Sequence, residues 1–363
     1  MEQAPRSKPP HVLLVTGTLE CGGSERQLAD MANYWAAEGL HVTLATWSGS
    51  QTADFYDLDR RIQRVHLAVE ATGKVRGNIG RVLKLRKILA STRPDAVLSF
   101  LTRSNVSTIL AGIGLKLRIV VSERVQPALE TGLPLEWRFL RRLVYGRADE
   151  IVSQTDTTAE WIRKNWCKQA LVIPNALRLL PPKPDERQPL IVAVGRLVPQ
   201  KGFDLLLQAF ASIAARFPDW RVLIMGEGPE RTNLQRLRDE LMLADRVDFV
   251  GHVQDVETWM ARAGLVVQPS RFEGFPNAVL ESMGMGAAVV SSDCPAGPSE
   301  LIEDGVNGRL VPVEDVPILA RAMAELMSQP SLRSRLGSEA LKVRDRFRQE
   351  LIMAQWKAVL LPQ

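Results

Sequence analysis

Cysteine is scarce in this 363-residue chain: Cys21, Cys167 and Cys294 stand far apart, with no paired spacing. That excludes a disulfide framework and a thiolate metal site, and it fits a reducing compartment. The four histidines, His11, His41, His66 and His252, are isolated in sequence, show no zinc spacing and read as structural. No apolar run approaches the roughly 18 residues of a membrane-spanning helix. The start, MEQAPRSKPPHVLLVTG, carries only a short apolar run behind three prolines and two basic residues. We therefore expect a cytoplasmic chain that begins at its own Met1, with any membrane contact peripheral. A GxSxG elbow and a GxxxxGK loop are also missing, which removes serine hydrolases and P-loop nucleotidases.

What is present is a 45% apolar, 24% charged composition, which excludes disorder and is too long for one ordinary core. Opposite charges nearly balance, with 46 Lys and Arg against 41 Asp and Glu, so the +5 excess does not indicate nucleic-acid binding. The excess is uneven. Residues 1–180 hold 25 basic and 17 acidic side chains, and the remainder holds 21 and 24.

Short Val, Ile and Leu runs recur, each followed by a helix-length amphipathic stretch. HVLLVTG, HVTLATW, RVHLAV, DAVLSF, RIVVSER and EIVSQT form one series; LIVAVGRL, RVLIMGEG, VDFVGH, LVVQPS and AAVVSSD form a second. Such runs suit strands buried on both faces of a parallel sheet. Between the series, LRLLPPKPDERQP holds four prolines and five charges, which opposes helix and central strand alike. The expected fold is α/β, with two doubly wound parallel-sheet domains facing a cleft. Residues 1–177 form the first, 178–189 a linker, 190–345 the second, and 346–363 a helix able to cross back to the first. In that last helix Phe347, Leu351, Met353, Ala354, Trp356 and Val359 are the apolar positions.

Ligands of open α/β sheets sit beyond the carboxyl ends of the strands, so the turns there carry the chemistry. In PSRFEGFPNAVLESM a strand ends, a loop presents Glu273, Gly274 and Phe275, and Pro276 is expected to open a helix through Asn277 to Glu281. Free amides and the helix dipole at such an end attract phosphate. Glu281, about 6 Å further along the axis, is placed to accept hydrogen bonds from vicinal hydroxyls, and Glu273 from another polyol. One carboxylate on each side of a diphosphate suits a sugar nucleotide; taken alone, either reads better as a solvated charge. In VGRLVPQKGFDLLLQAF a strand delivers Arg196 and then Lys201 ahead of a helix near Gly202. Two cations there neutralise a departing diphosphate without a metal.

In the first domain Gly22 and Gly23 precede a helix near Ser24, and small residues there permit close backbone approach. Ser24 equally fits a helix cap, and Glu25 and Arg26 fit first-turn charges. Ser122, Glu123 and Arg124 fall in what reads as another strand-end loop. The segment KVRGNIGRVLKLRKILASTR, residues 74–93, carries seven basic residues and no acid. Val82, Leu85 and Leu89, with Leu83 and Ile88 beside them, form its apolar stripe. Its basic face reads either as solvated surface or as a contact for an anionic membrane or a polyprenyl diphosphate.

EGFPNAVLE resembles the glutamate, seven residues, glutamate motif of family 4 retaining glycosyltransferases, and VGRLVPQKG resembles that family's Arg and Lys diphosphate clamp. GEGPER, VDFVGHV, PAGPSELIEDGVNGRLVP and CGGSERQLADMA extend the similarity over nearly the whole chain. The resemblance implies a GT-B fold, with the acceptor on the first domain and a UDP-sugar mainly on the second. It implies that Arg196 and Lys201 hold the diphosphate, and that Glu281 holds the ribose. Glu273 with the backbone of Gly274, Phe275, Pro276 and Asn277 would hold the sugar and phosphates, and Val253 the uracil. Gly22, Gly23, Glu25, Arg26, Ser122, Glu123 and Arg124 would line the acceptor and phosphate side. Many relatives carry a His in the 120–127 loop, and none is present here. The implied reaction is a metal-free, retaining hexosyl or N-acetylhexosaminyl transfer to a glycan or lipid-linked saccharide in cell-surface polysaccharide biosynthesis. The acceptor proton passes to a donor phosphate oxygen. No cofactor and no nucleic-acid partner are expected.

Paired glutamates also suggest a retaining glycosidase, but a hydrolase of neutral glycosides has no need of the accompanying cations and phosphate-type helix end. Two other readings stay open. A UDP-N-acetylhexosamine 2-epimerase would need acid and base groups near the sugar, against which the lack of His in the cleft loops argues. A noncatalytic sugar-nucleotide-binding, membrane-associated protein would have no reason to keep Glu273, Glu281, Arg196 and Lys201 together.

Overall fold

The recurring aliphatic runs become strands whose alternate side chains enter opposite cores, so each sheet needs helices on both faces. The computed structural model describes residues 8–20, 22–49, 53–69, 74–178, 180, 186–253 and 255–362. Cys21, residues 179 and 181–185 of the expected linker, and the side chains of Lys74 and Arg76 lie outside that description. The chain divides into two compact units, Met1–Ala176 with Glu350–Gln363, and Leu177–Gln349.

In the first unit the strands are β1 (His11–Thr16), β2 (His41–Thr46), β3 (Gln63–His66), β4 (Ala96–Phe100), β5 (Arg118–Glu123), β6 (Glu150–Ser153) and β7 (Leu171–Val172). Its helices are α1 (Gly23–Ala37), α2 (Lys74–Thr92), α3 (Thr102–Gly112), α4 (Leu135–Val144) and α5 (Asp156–Trp166). The sheet is parallel throughout, in the order β3-β2-β1-β4-β5-β6-β7. In the second unit the strands are β8 (Gln188–Val194), β9 (Arg221–Met225), β10 (Val247–Gly251), β11 (Ala263–Gln268), β12 (Val289–Ser292) and β13 (Arg309–Val311). The helices are α6 (Phe203–Ile213), α7 (Arg231–Glu240), α8 (Val256–Arg262), α9 (Asn277–Gly284), α10 (Pro298–Leu301), α11 (Val316–Ser328), α12 (Pro330–Ala340) and α13 (Val343–Arg346), and α14 (Gln349–Leu360) follows. This sheet is also parallel, in the order β10-β9-β8-β11-β12-β13. Both sheets are doubly wound, and each reverses its strand order beside its first strand, at β1/β4 and at β8/β11.

The alternation is visible in β1. Val12 and Leu14 join Leu28, Met31 and Trp35 of α1, whereas Leu13 and Val15 face Leu85 and Leu89 of α2. α14 returns to the first of these cores. Ile352, Met353, Trp356 and Leu360 are buried there, and the Trp356 ring lies 6.1 Å from that of Phe100. Several sequence expectations need correction. Leu351 and Ala354 point outward, and Ile352 and Leu360 take their place. Phe347 does not belong to this helix; it packs in the second unit's core against Phe275, at 6.1 Å between rings. β8 takes in Gln188 and Pro189, which read as linker. Leu83 of α2 is 59% exposed. His11 and His41, far apart in sequence, meet in the sheet, where parallel pairing of β1 and β2 stacks their rings at 4.1 Å, in keeping with a structural role.

Ser122 and Glu123 are the end of β5 and not loop residues, because the aliphatic run pulls the polar pair into the sheet. Glu123 is 2% exposed. It accepts hydrogen bonds from the Tyr145 hydroxyl and from Thr102 Oγ1 at 3.4 Å, and Arg141 lies 3.9 Å away. Arg141 is itself paired with Glu130 at 2.8 Å. Burial pushes the Glu123 carboxyl up to about 7, although Arg141 and the hydrogen bonds pull the other way.

Trp356→Ala empties the seat of α14 and lowers the stability of the first unit by about 3–5 kcal/mol, measurable by urea unfolding followed by circular dichroism. Because folding raises the Glu123 pKa from its usual 4.5 to about 7, the native state holds the extra proton. This group's contribution is full below about 4.5 and is lost as pH rises through about 7. Glu123→Gln should flatten that part of the pH profile of thermal unfolding, and an unchanged slope would contradict the protonated native form.

Candidate functional site

In the second unit the strands flanking the switch point, β8 and β11, deliver the two loops singled out by sequence. After β8 the chain passes Gly195 and Arg196, makes a 3-10 turn over Pro199–Lys201, and enters α6 through Gly202. Gly202 has φ +65°, and a Cβ there would stand 2.0 Å from the Pro269 carbonyl oxygen. Only glycine lets this turn lie on the end of β11. Hydrogen bonds from Arg271 N–H to Gln200 O at 2.8 Å and from Gln200 Nε2 to Phe272 O at 2.8 Å join the loops. The Arg271 side chain completes the join. It forks onto Asp204 at 2.9 and 2.8 Å, donates to Pro199 O at 2.6 Å and to Glu314 at 2.7 Å.

That join sets Lys201 against Glu273, with Nζ 2.7 and 2.9 Å from the two carboxylate oxygens. Glu273 is 4% exposed and also accepts from Ser270 Oγ at 2.6 Å, which in turn is held by Gln268 Nε2 at 3.0 Å. The two groups read from sequence as separate cation and polyol acceptor thus form one part-buried ion pair. An anion arriving at Lys201 meets an ammonium already fixed in direction. Cys294, just beyond β12, sits in the same field. Burial, and then the charge of Glu273, push its thiol up to about 12 although Lys201 opposes them, so it stays a neutral thiol.

Pro276 is the cap of α9 and not its first residue; Asn277 opens the helix. Pro276 is buried, and a Cβ on Gly297 would lie 2.8 Å from its ring, so the loop before α10 packs on it. Phe275 enters the core below, Gly274 stays half-exposed between them, and Glu281 lies in α9 at 7% exposure. Arg196 is exposed, with no side-chain partner among the described residues. The GEG turn after β9 approaches the same loop backbone to backbone. Leu197 N–H donates to Glu227 O at 2.9 Å, and a Cβ on Gly228 would stand 2.3 Å from Leu197 O. Gly226 N–H bonds Gly251 O at 2.8 Å, which brings the end of β10, and with it half-buried Val253, to the same sheet edge.

In the first unit the corresponding end of β1 leads to Gly22, the cap of α1, with Gly23 as the first helical residue and Ser24 inside the helix. As a glycine, Gly22 brings no capping side chain of its own. Tyr56 instead grips Gly22, its hydroxyl 2.9 Å from both the N–H and the carbonyl. Glu25 folds over Gly22, where a Cβ would meet its carboxylate at 2.3 Å. Arg26 lies half-buried beside it in the first turn. Arg124 follows β5 directly and is 3% exposed. Its guanidinium stacks 4.1 Å over Phe100 and donates to Asn175 Oδ1 and, at 3.5 Å, to Ser122 Oγ, while its Nε has no partner. Burial lowers its pKa to about 9, partly offset by Glu25, so it stays charged at neutral pH.

Arg271, Ser270, Cys294, Tyr56 and Asn175 were not singled out from the sequence. Arg271 lay two residues from Glu273, but no spacing rule pairs it with Asp204. Among the described residues no three His, Cys, Asp or Glu side chains come together as metal ligands, and no helix is long and apolar enough to cross a membrane.

The sequence profile described as glycosyl transferases group 1 matches residues 181–343, and that of the glycosyl transferase 4-like domain matches residues 22–176. A Campylobacter jejuni enzyme is 26% identical over 354 residues, 95% of this chain and 96% of its own. It is named an alpha-1,4-N-acetyl-D-galactosaminyltransferase acting on a GalNAc- and diNAcBac-containing PP-undecaprenol. Sucrose-phosphate synthase from Thermosynechococcus elongatus superposes with a TM-score of 0.85 at 20% identity, over 96% of this chain and 98% of that one. Anabaena HepE in complex with UDP and glucose superposes with a TM-score of 0.83 at 19% identity, over 97% and 99%. Doubly wound sheets, loops joined at the second switch point and a profile match in each unit lead to one conclusion: the chain belongs to the GT-B glycosyltransferases, with a 4-like domain followed by a group 1 domain.

Proposed function

We propose that this transferase moves a hexosyl or N-acetylhexosaminyl group from UDP to a hydroxyl of a glycan or polyprenyl-diphosphate-linked saccharide, with retention and without a metal. The observation that carries the reading is the Lys201–Glu273 pair at the β8/β11 switch point, beside the start of α9. The names of the relatives support it: the Campylobacter enzyme acts on an undecaprenol-linked saccharide, and HepE is described with UDP.

The barrier is cleavage of the bond between the anomeric carbon and the diphosphate oxygen. In this reading Lys201, exposed Arg196 and the first amides of α9 stabilise the negative charge that gathers on the leaving UDP. Glu273 holds Lys201 in place and turns its remaining acceptor capacity to the sugar, and Glu281 takes the ribose hydroxyls. Val253 meets the base. The acceptor oxygen bonds to the anomeric carbon on the face the leaving group vacates, and its proton passes to a diphosphate oxygen, so no separate protein base is needed. Gly22, Gly23, Glu25 and Arg26 flank the phosphate and acceptor. Buried Ser122, Glu123 and Arg124 act from below, as the floor of that surface. The basic face of α2 is the proposed contact with an anionic membrane surface, at the cytoplasmic side. Acceptor-free incubation with UDP-sugars separates this reading from a 2-epimerase, which accumulates an epimer, and from a noncatalytic binder, which releases no UDP.

Lys201→Ala and Glu281→Ala should each lower acceptor-dependent UDP release by about 100-fold or more while circular dichroism is unchanged. Full activity in both would overturn the site. Turnover should persist in EDTA, and its loss, restored by added Mg²⁺, would overturn the metal-free mechanism.

A further inference from the structure

The apolar side of α4 faces away from the core. Leu135, Phe139 and Leu143, each four residues apart, are 77%, 69% and 58% exposed. At about 100° per residue they form one stripe along the helix, and Arg138 and Arg142, both exposed, run along its flank. The inward side is satisfied without them, since Val144 and Leu140 join Val106, Ile109 and Val121 in a closed cluster. α2 repeats the pattern. Ile79 and Leu83 are 56% and 59% exposed, with Arg86 and Lys87 beside them on the same side. α3 packs against both helices, and its exposed Arg103 lies 5.9 Å over the Trp137 ring of α4. Residues 74–93 and 135–147 together contain eleven basic side chains and one acid, Glu136; of the eleven, Arg141 is turned inward onto Glu130 and takes no part in this surface.

We propose that this helical layer seats on the surface of an anionic lipid bilayer, with α4 as the element that inserts. An apolar stripe flanked by cations is what lies in a headgroup boundary: the side chains enter the acyl region and the guanidinium groups stay with the phosphates. The breadth of the positive charge argues for lipid over a protein groove. A groove needs an acid matched to each arginine at a fixed register, whereas headgroups supply counter-charge anywhere along the layer. The basic helix α2 thus supplies attraction and α4 the apolar anchor. The proposal rests on the membrane contact already proposed for α2 and adds the α4 anchor to it; it uses no residue of the donor site, so the vesicle assay fails or succeeds separately from the UDP-release assay.

Co-sedimentation of the full chain with vesicles of phosphatidylcholine, alone or mixed with phosphatidylglycerol, tests it. Wild type should bind the mixed vesicles in a salt-sensitive manner and the neutral ones far less. Phe139→Ser with Leu143→Ser should weaken partitioning by about tenfold or more, while Leu351→Ser, an exposed apolar residue on α14, leaves it unchanged. Leu135→Ser, read by the same assay, keeps the test intact should the double variant fold poorly by circular dichroism. Equal binding by these α4 variants, or no binding of wild type to anionic vesicles, overturns the proposal. So does light scattering that shows a wild-type dimer converted to monomer by the α4 substitutions, which would assign the stripe to a second copy.

Discussion

One arginine holds the loops after β8 and β11 of the second unit in register. Arg271 leaves the loop after β11 and binds Asp204, Glu314 and the Pro199 carbonyl, all on neighbouring segments. A bidentate guanidinium fixes both distance and plane, so the loops on the two sides of the switch point move as one piece. Lys201 and Glu273 are the payload of that join. Neither could keep its position alone: a lysine stem has many rotamers, and a carboxylate this buried requires a cation. The ion pair therefore serves less as a source of stability than as a way of keeping an ammonium and a carboxylate aimed before a ligand arrives.

The first unit solves a related problem with different means. Arg124 has no carboxylate of its own within hydrogen-bond reach among the described contacts, and is held by the Phe100 face, Asn175 and the nearby charge of Glu25. Glu123 points into a separate pocket of Tyr145, Thr102 and Arg141. Adjacent acidic and basic side chains at a strand end thus face two different networks, as strand geometry demands of neighbours. The polar groups at this end of β5 are consequently held on several sides.

Much of this was legible in the chain itself. The aliphatic runs and their helix-length spacing carried the doubly wound sheets, and the Gly, Lys and Glu positions marked the loops after β8 and β11 that the fold brings together. What pattern could not supply was contact across distance. Nothing in PSRFEGFP says that Arg271 turns back to Asp204, or that Lys201 and Glu273, 72 positions apart, are partners. Besides the outward-facing Leu83, Leu351 and Ala354, the differences were boundaries decided by tertiary packing. Ser122 and Glu123 were drawn into β5, Gln188 into β8, and Phe347 was separated from the helix that follows, packing edge to face on Phe275. The exposed stripe of α4 had no motif at all, since it shows only once Leu140 and Val144 are seen to fill the inner side.

The path of the chain has one more effect. The second unit is threaded into the first as an excursion that departs after Ala176 and ends at Gln349, and Leu177 N–H meets Phe347 O at 2.7 Å where outgoing and returning segments run side by side. During synthesis the excursion is complete, and free to close on itself, before α14 leaves the ribosome. The earlier half must meanwhile wait with the seat of Trp356 open. Assembly order is thereby inverted relative to residue order: the first unit begins first and finishes last.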